Sequence, residues 1–213
     1  MVLPTAYLAP VSYYAAMFHC QNVIIETQEH YIKQTIRNRA IISTGQGPQT
    51  LSVNVAKGNR PHTPVAAIRL SNHANWMHQH LYSLATYYGN TPFYEYYIDE
   101  LKALFPSVDQ EELPTLFSFN ESLRCKICEL IGFEPQVSYT NQWAGPTDYE
   151  QGLLSDDGRL SFGQHGIFCP KGYYQVAAVE GKLGFMKDMS IVDLLFNMGP
   201  ESIIVLRDSW NKN

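Results

Sequence analysis

Cysteine is scarce in this chain: Cys20, Cys125, Cys128 and Cys169 are the only four among 213 residues. That is too few for the disulfide framework of a small secreted domain, and a reducing, cytoplasmic setting is the expectation. Long apolar runs are also missing. None approaches the ~18 residues that a helical membrane span requires, so no membrane span is expected. Charge is sparse at 16 % of residues, and Lys+Arg (15) falls short of Asp+Glu (20). The resulting net charge of −5 argues against a general nucleic-acid binder, which needs a basic surface to collect phosphates. The opening MVLPTAYLAP has no basic n-region and carries Pro4 and Pro10, so it does not read as a secretory signal. The phosphate-loop, G-x-G-x-x-G, G-x-S-x-G and H-E-x-x-H patterns are all absent. No cofactor is evident and no metal site is expected.

What is present suits one domain spanning residues 1–213, with a helical segment at about 71–132 that has the makings of a subdomain. The chain is long enough for a sizeable core. Hydrophobic residues make up 45 %, and the 14 tyrosines favour surfaces that both pack and hydrogen-bond. TAYLA followed by Pro10 predicts a short strand, VSYYAAMFHC a helix, and the β-branched NVIIE a buried strand, together the outline of a right-handed βαβ unit. IKQTIRNRAII and TLSVNVA then alternate with period two around the turn cluster STGQGPQ, which predicts a hairpin with a longer loop. AAIRLS predicts a further short strand.

Helices follow. Ser71 or Asn72 can cap one that runs to Tyr88 and closes at Gly89, and Thr91 with Pro92 at its first turn opens the next. A third is predicted from about Thr115 to Ile131, ending at Gly132. QVSYTNQW and YYQVAAV read as strands separated by a long Gly/Pro-rich loop over 144–170. Ser190 opens a last short helix, with Asp193 placed for a variant capping box. The fold class expected is α/β or α+β: a mixed sheet, an N-terminal strand–helix–strand unit and a helical middle.

Several blocks together resemble the WbqC-like protein family: LPTAYLAPVSYYAAM, YIKQTIRNRAII with LSVNV, NWMHQHLYSLATYYGNTPFYEYY, and YYQVAAVEGKLGFMKDMSIVDLLFNMGPES. Their order and spacing span nearly the whole chain. The resemblance implies a setting in bacterial surface-polysaccharide (O-antigen) synthesis and a suggested glycine transfer onto sugar. Two departures stand out. Glu150 follows Asp148 and Tyr149 where the family pattern implies an arginine, and Ala177 stands where an aromatic is expected.

As a continuous strand, residues 31–42 would place Tyr31, Lys33, Thr35, Arg37 and Arg39 on one face and Ile32, Ile36, Ala40 and Ile42 on the other. Three cations would then line a strip of roughly 20 Å or less, suited to a pyrophosphate with arginines offering bidentate contacts. The competing reading is a solvent face neutralised by Glu26 and Glu29, with Asn38 ending the strand early. The resemblance favours Lys33, Arg37, Asn38 and Arg39 as anion contacts.

The Pro10–Tyr14 segment passes from strand to helix, so its N–H groups, with Ser12 and Tyr13, offer a second anion cradle. Asp148 and Tyr149 are candidate polar contacts, or turn caps. On the helix after Ser71, His80 lies beside Trp76 and Leu84, either a satisfied core histidine or a general base with a shifted pKa. His73 and His80 are about two turns apart, too far to share a metal. Cys125 and Cys128 form a C-x-x-C inside a helix, where core packing is the default; a zinc site completed by His165 and Cys169 is the alternative.

The reading that follows is an enzyme transferring a small acyl or glycyl group to a sugar. Lys33, Arg37 and Arg39 would hold the phosphates of an activated donor or nucleotide-linked sugar, His80 would act as base, and Trp76 would stack on sugar. Nothing in the sequence specifies the acyl donor. The alternative is a non-catalytic binding protein for a nucleotide-sugar or another phosphorylated glycan intermediate. The oligomeric state is left open.

Overall fold

A computed structural model describes residues 1–56, 62–107, 112–143, 170–181 and 183–210. The predicted N-terminal unit is present: β1 (Val2–Pro4), α1 (Val11–His19) and β2 (Val23–Glu26), with β1 and β2 parallel. β5 (Val137–Tyr139) pairs parallel on the other side of β2, so the sheet order is β1-β2-β5. The central strand is apolar and β-branched because it is covered on both faces, and Val23 and Ile25 are fully buried.

TAYLA is not the first strand. β1 ends at Pro4, and Thr5 to Pro10 form a buried loop in which Leu8 takes a positive φ. Tertiary bonds hold it there: the Tyr7 amide donates to Ile36 O at 2.9 Å, and the Thr5 hydroxyl accepts from Asn120 Nδ2 at 3.1 Å.

The hairpin is real but shorter than expected. β3 (Arg39–Thr44) and β4 (Gly47–Ser52) are antiparallel, from Arg39 opposite Ser52 to Thr44 opposite Gly47. The connection is therefore the two residues Gly45 and Gln46, and Gly47 at φ +117° supplies a conformation that other residues resist. Residues 31–38 do not extend β3. They form successive turns, with Gln34 at positive φ and the Asn38 amide donating to Thr35 O. The Asn38 side chain stabilises this course, since Oδ1 accepts from the Gln34 amide and Nδ2 donates to Val53 O. The shared face of Lys33, Arg37 and Arg39 therefore does not exist.

AAIRLS forms a 3₁₀ turn (Val65–Ala67) followed by isolated bridges at Arg69 and Leu70. α2 (Trp76–Tyr88) starts later than the Ser71/Asn72 caps predict, because left-handed backbone at Ala74 and Asn75 interrupts the approach. α3 (Tyr94–Lys102) begins after Thr91, whose hydroxyl turns back to Tyr88 O. α4 (Leu116–Ile131) matches its prediction closely. Thr115 Oγ1 accepts from the Ser118 amide, and Gly132 closes the helix at φ +88°.

YYQVAAV is not a strand. Residues Val176–Glu180 form the short helix α5, whose first amide donates to Asn197 Oδ1. α6 (Ile191–Met198) is the most buried helix, with Ile191, Val192, Leu194, Leu195 and Phe196 fully enclosed. It contacts α1, α3 and β3, which ties the helical middle to the N-terminal unit and the hairpin. A further helix, α7 (Ser202–Asp208), follows the Gly199-Pro200 break and packs along α1. The fold is α/β, with a small parallel sheet and a separate antiparallel hairpin.

Candidate functional site

The loops that leave the carboxyl ends of the parallel strands are unusually polar inside. At the end of β2, the buried Glu26 carboxylate accepts from the Gln28 amide at 2.7 Å and from Thr140 Oγ1, beyond β5, at 2.6 Å. Glu29 and Arg37 form a buried bidentate pair, with Arg37 Nε donating to Oε1 at 2.8 Å and Nη2 donating to Oε2. Arg37 is 1 % exposed, and its Nη1 also reaches Thr35 Oγ1 at 3.3 Å. Asn120 Nδ2, from α4, donates to Arg37 O at 2.9 Å. Both fork nitrogens that would grip an anion are thus turned onto Glu29, and Asn38 is occupied in holding the turn.

Tyr31 and Arg39 behave differently. Tyr31 Oη and Arg39 Nε are buried donor atoms without a hydrogen-bond partner among the described residues, as is the acceptor Asn120 Oδ1. An unmade hydrogen bond at a buried donor costs about 1–3 kcal/mol, so such atoms point to an acceptor that completes them. Burial pushes the Tyr31 phenol up to about 12, against the lowering influence of nearby Arg37 and Arg39. Tyr31 therefore stays protonated and able to donate at neutral pH. Arg39 has no ion-pair partner among the described residues. Lys33 is exposed on the turn between them in sequence.

The start of α1 already holds an anion, and it belongs to the protein. The Ser12 amide and hydroxyl donate to the two oxygens of Asp188 at 2.8 and 2.7 Å. The Val11 amide is taken by Met189 O, and Tyr13 Oη donates to Pro4 O at 2.9 Å. Burial raises the Asp188 pKa, while the bonds from Ser12 oppose that rise.

His80 is enclosed, 4 % exposed, with its ring 5.0 Å from Trp76. Its Nδ1 lies 2.9 Å from Tyr7 Oη, leaving Nε2 for the backbone of Ser52. Burial lowers its pKa to about 4, only partly opposed by that backbone bond. The imidazole is thus neutral at pH 7 with both nitrogens engaged. The Trp76 indole is also buried, donating to Ser71 O at 2.7 Å, so its ring face is not open to solvent.

Sequence reasoning missed the role of Asp193. It does not close a capping box; its fully buried carboxylate gathers four donors from distant segments. Tyr88 Oη donates to Oδ1 at 2.9 Å, joined there by Ser43 Oγ. Tyr173 Oη and Gln175 Nε2 each donate to Oδ2 at 2.6 Å. The available signal was one acid in the otherwise apolar run IVDLLF.

In the C-x-x-C, Cys125 is exposed and Cys128 buried, and burial pushes the Cys128 thiol up to about 12. A thiol held protonated in this way is a packing residue rather than a redox nucleophile. No group of three or more His, Cys, Asp or Glu side chains suited to a metal ion occurs among the described residues. Asp148, Tyr149, Glu150, His165 and Cys169 lie outside the described residues. A cleft of about 450 Å³ near Phe18, Cys20 and Phe133 lies at the amino ends of the strands, away from the polar loops.

These features define an α/β protein whose parallel sheet carries a buried, charge-rich loop cluster at its carboxyl edge. The chain belongs to the WbqC-like protein family, whose model matches residues 5–156. It is also similar to the uncharacterized protein Rv1507c of Mycobacterium tuberculosis, 26 % identical over 231 aligned positions that cover 97 % of this chain and 96 % of that protein. No solved structure matches it. No helix among the described residues is long and apolar enough to cross a membrane.

Proposed function

We propose that this chain acts in bacterial surface-polysaccharide (O-antigen) biosynthesis, in the cytoplasm, by binding a phosphorylated or nucleotide-linked sugar through Tyr31 and Arg39, with Lys33 at the rim. The reading rests on two buried donors, one on the segment after β2 and one at the start of β3, that lack acceptors among the described residues. A phosphate oxygen satisfies both, and a guanidinium contact to phosphate is the stronger, charge-assisted kind. The glycan setting is the one the family resemblance implies, and transfer of a small acyl or glycyl group to the sugar is the reaction proposed with it.

A second reading, a non-catalytic binding protein for such an intermediate, is favoured by one observation. His80, the candidate base, is enclosed with both nitrogens engaged.

A thermal-shift screen against nucleotides, nucleotide-sugars, coenzyme A derivatives and amino acids tests the site. Nucleotide-sugars should raise the unfolding temperature, since a ligand of the native state stabilises it. Arg39→Ala should weaken that binding about tenfold, the equivalent of one lost charged contact of ~1.4 kcal/mol. Stabilisation by no phosphorylated compound, or unchanged affinity in Arg39→Ala, would sink the proposal. Turnover that persists in the presence of donor and vanishes in His80→Gln would decide for the enzyme.

A further inference from the structure

One pair of side chains is unused by anything above. The segment after β2 runs antiparallel to residues 63–66. The Tyr31 amide donates to Thr63 O at 3.1 Å, the Val65 amide to Glu29 O at 2.9 Å and the Ala66 amide to Thr27 O at 3.1 Å, while His30 bridges to Pro64. This short ladder brings two exposed histidines together. Nδ1 of His62 lies 3.1 Å from Nδ1 of His30, with ring centroids 4.5 Å apart and planes inclined by 66°.

Two nitrogens facing each other at this distance share one proton as a hydrogen bond, or they share a metal ion. With metal–nitrogen bonds of about 2.0–2.1 Å, two ligands on one ion stand ~2.9 Å apart at a right angle and ~3.4 Å apart at the tetrahedral angle. The observed 3.1 Å falls between these values. The ladder holds His30, which bridges to Pro64, and reaches Thr63, the residue after His62.

We propose that His30 and His62 form a two-imidazole site for a divalent transition ion of the zinc, nickel or copper type, both ligating through Nδ1. Each ring then carries its proton on Nε2, leaving the Nδ1 lone pair for the ion. No third His, Cys, Asp or Glu joins them among the described residues. The remaining coordination positions go to water or to the oxygens of another ligand, as in open rather than closed metal sites. The inference stands on a different observation from the sugar-phosphate site and does not require it.

The test is titration of the metal-stripped full chain with Zn²⁺ by calorimetry, in the absence of any phosphorylated compound. One ion per chain is expected, weakened at least tenfold in His30→Gln and in His62→Gln and unchanged in the exposed-histidine control His73→Gln. Cu²⁺ electron paramagnetic resonance provides a second readout: two nitrogen donors in the wild type, one in either variant. Absence of stoichiometric binding, wild-type affinity in either His30→Gln or His62→Gln, or an equal loss in His73→Gln would each overturn the assignment and leave a plain imidazole hydrogen bond.

Discussion

His80 offers a quantitative check on whether its environment is as closed as the geometry indicates. Burial holds the folded-state pKa at about 4, against 6.5 for the ordinary side chain. Between those two values the unfolded chain takes up a proton at this position and the folded protein does not. Stability from this group is therefore complete above pH ~6.5 and is lost as pH falls towards 4. With ~1.4 kcal/mol for each tenfold difference in proton affinity, the whole effect is about 3 kcal/mol. His80→Gln keeps a polar side chain of similar reach but cannot titrate. Urea unfolding of both proteins, followed by tryptophan fluorescence from pH 7.5 to 4, isolates the contribution, because titrations elsewhere are common to the pair. The wild type should lose about 3 kcal/mol more than the variant across that range. Parallel pH profiles would show that the imidazole is solvated or protonated in the folded state, and the enclosed Tyr7–His80 pair would be refuted.

Asp193→Ala strips four donors of one acceptor. At about 1–3 kcal/mol for each buried orphan, with the half-buried Tyr173 recovering a water partner, ~4 kcal/mol is expected. That corresponds to a fall of about 10 °C in Tm by scanning calorimetry for a chain of this size, and a shift below 2 °C would contradict the network. Tyr88→Phe, which also frees the Ser43 amide, should cost about 1–2 kcal/mol in the same experiment. Arg37→Ala removes the bidentate partner of the buried Glu29 carboxylate, so a loss of about 3–5 kcal/mol is predicted, whereas Arg39→Ala should leave stability within ~0.5 kcal/mol. Equal losses in these two variants, measured by urea unfolding, would show that Arg39 is a structural residue and not a ligand contact.

The parts of the fold that were legible in the sequence rest on neighbours along the chain. Thr115 and Gly132 bracket α4 because a cap needs only the next turn, and Gly47 marks the hairpin because its φ is a local demand. The NVIIE strand was readable for a similar reason, since a run of β-branched apolar residues buries well only inside a sheet. Where prediction failed, a distant partner had intervened. TAYLA has strand character, but Tyr7 is drawn to His80, 73 residues away. YYQVAAV has it too, yet Gln175 is held by Asp193 and α5 starts on Asn197.

The candidate site divides in the same way. The residue types were visible in advance: three cations, tyrosines and a helix start, all suited to anions. Their availability was not, because charge compensation depends on which carboxylate folds against which cation. Glu29 takes Arg37, Asp188 takes the first turn of α1, and only Tyr31 and Arg39 keep buried donors unmatched among the described residues. His30 and His62 meet through a ladder between segments some thirty residues apart, and no spacing rule announces it. By itself the sequence determined the α/β class, most of the helices and the stock of functional groups, since propensity, capping and periodicity act over a few residues. Only the tertiary structure decided which of those groups neutralise one another and which keep a buried donor unmatched among the described residues, because burial and pairing are properties of contacts made across the whole chain.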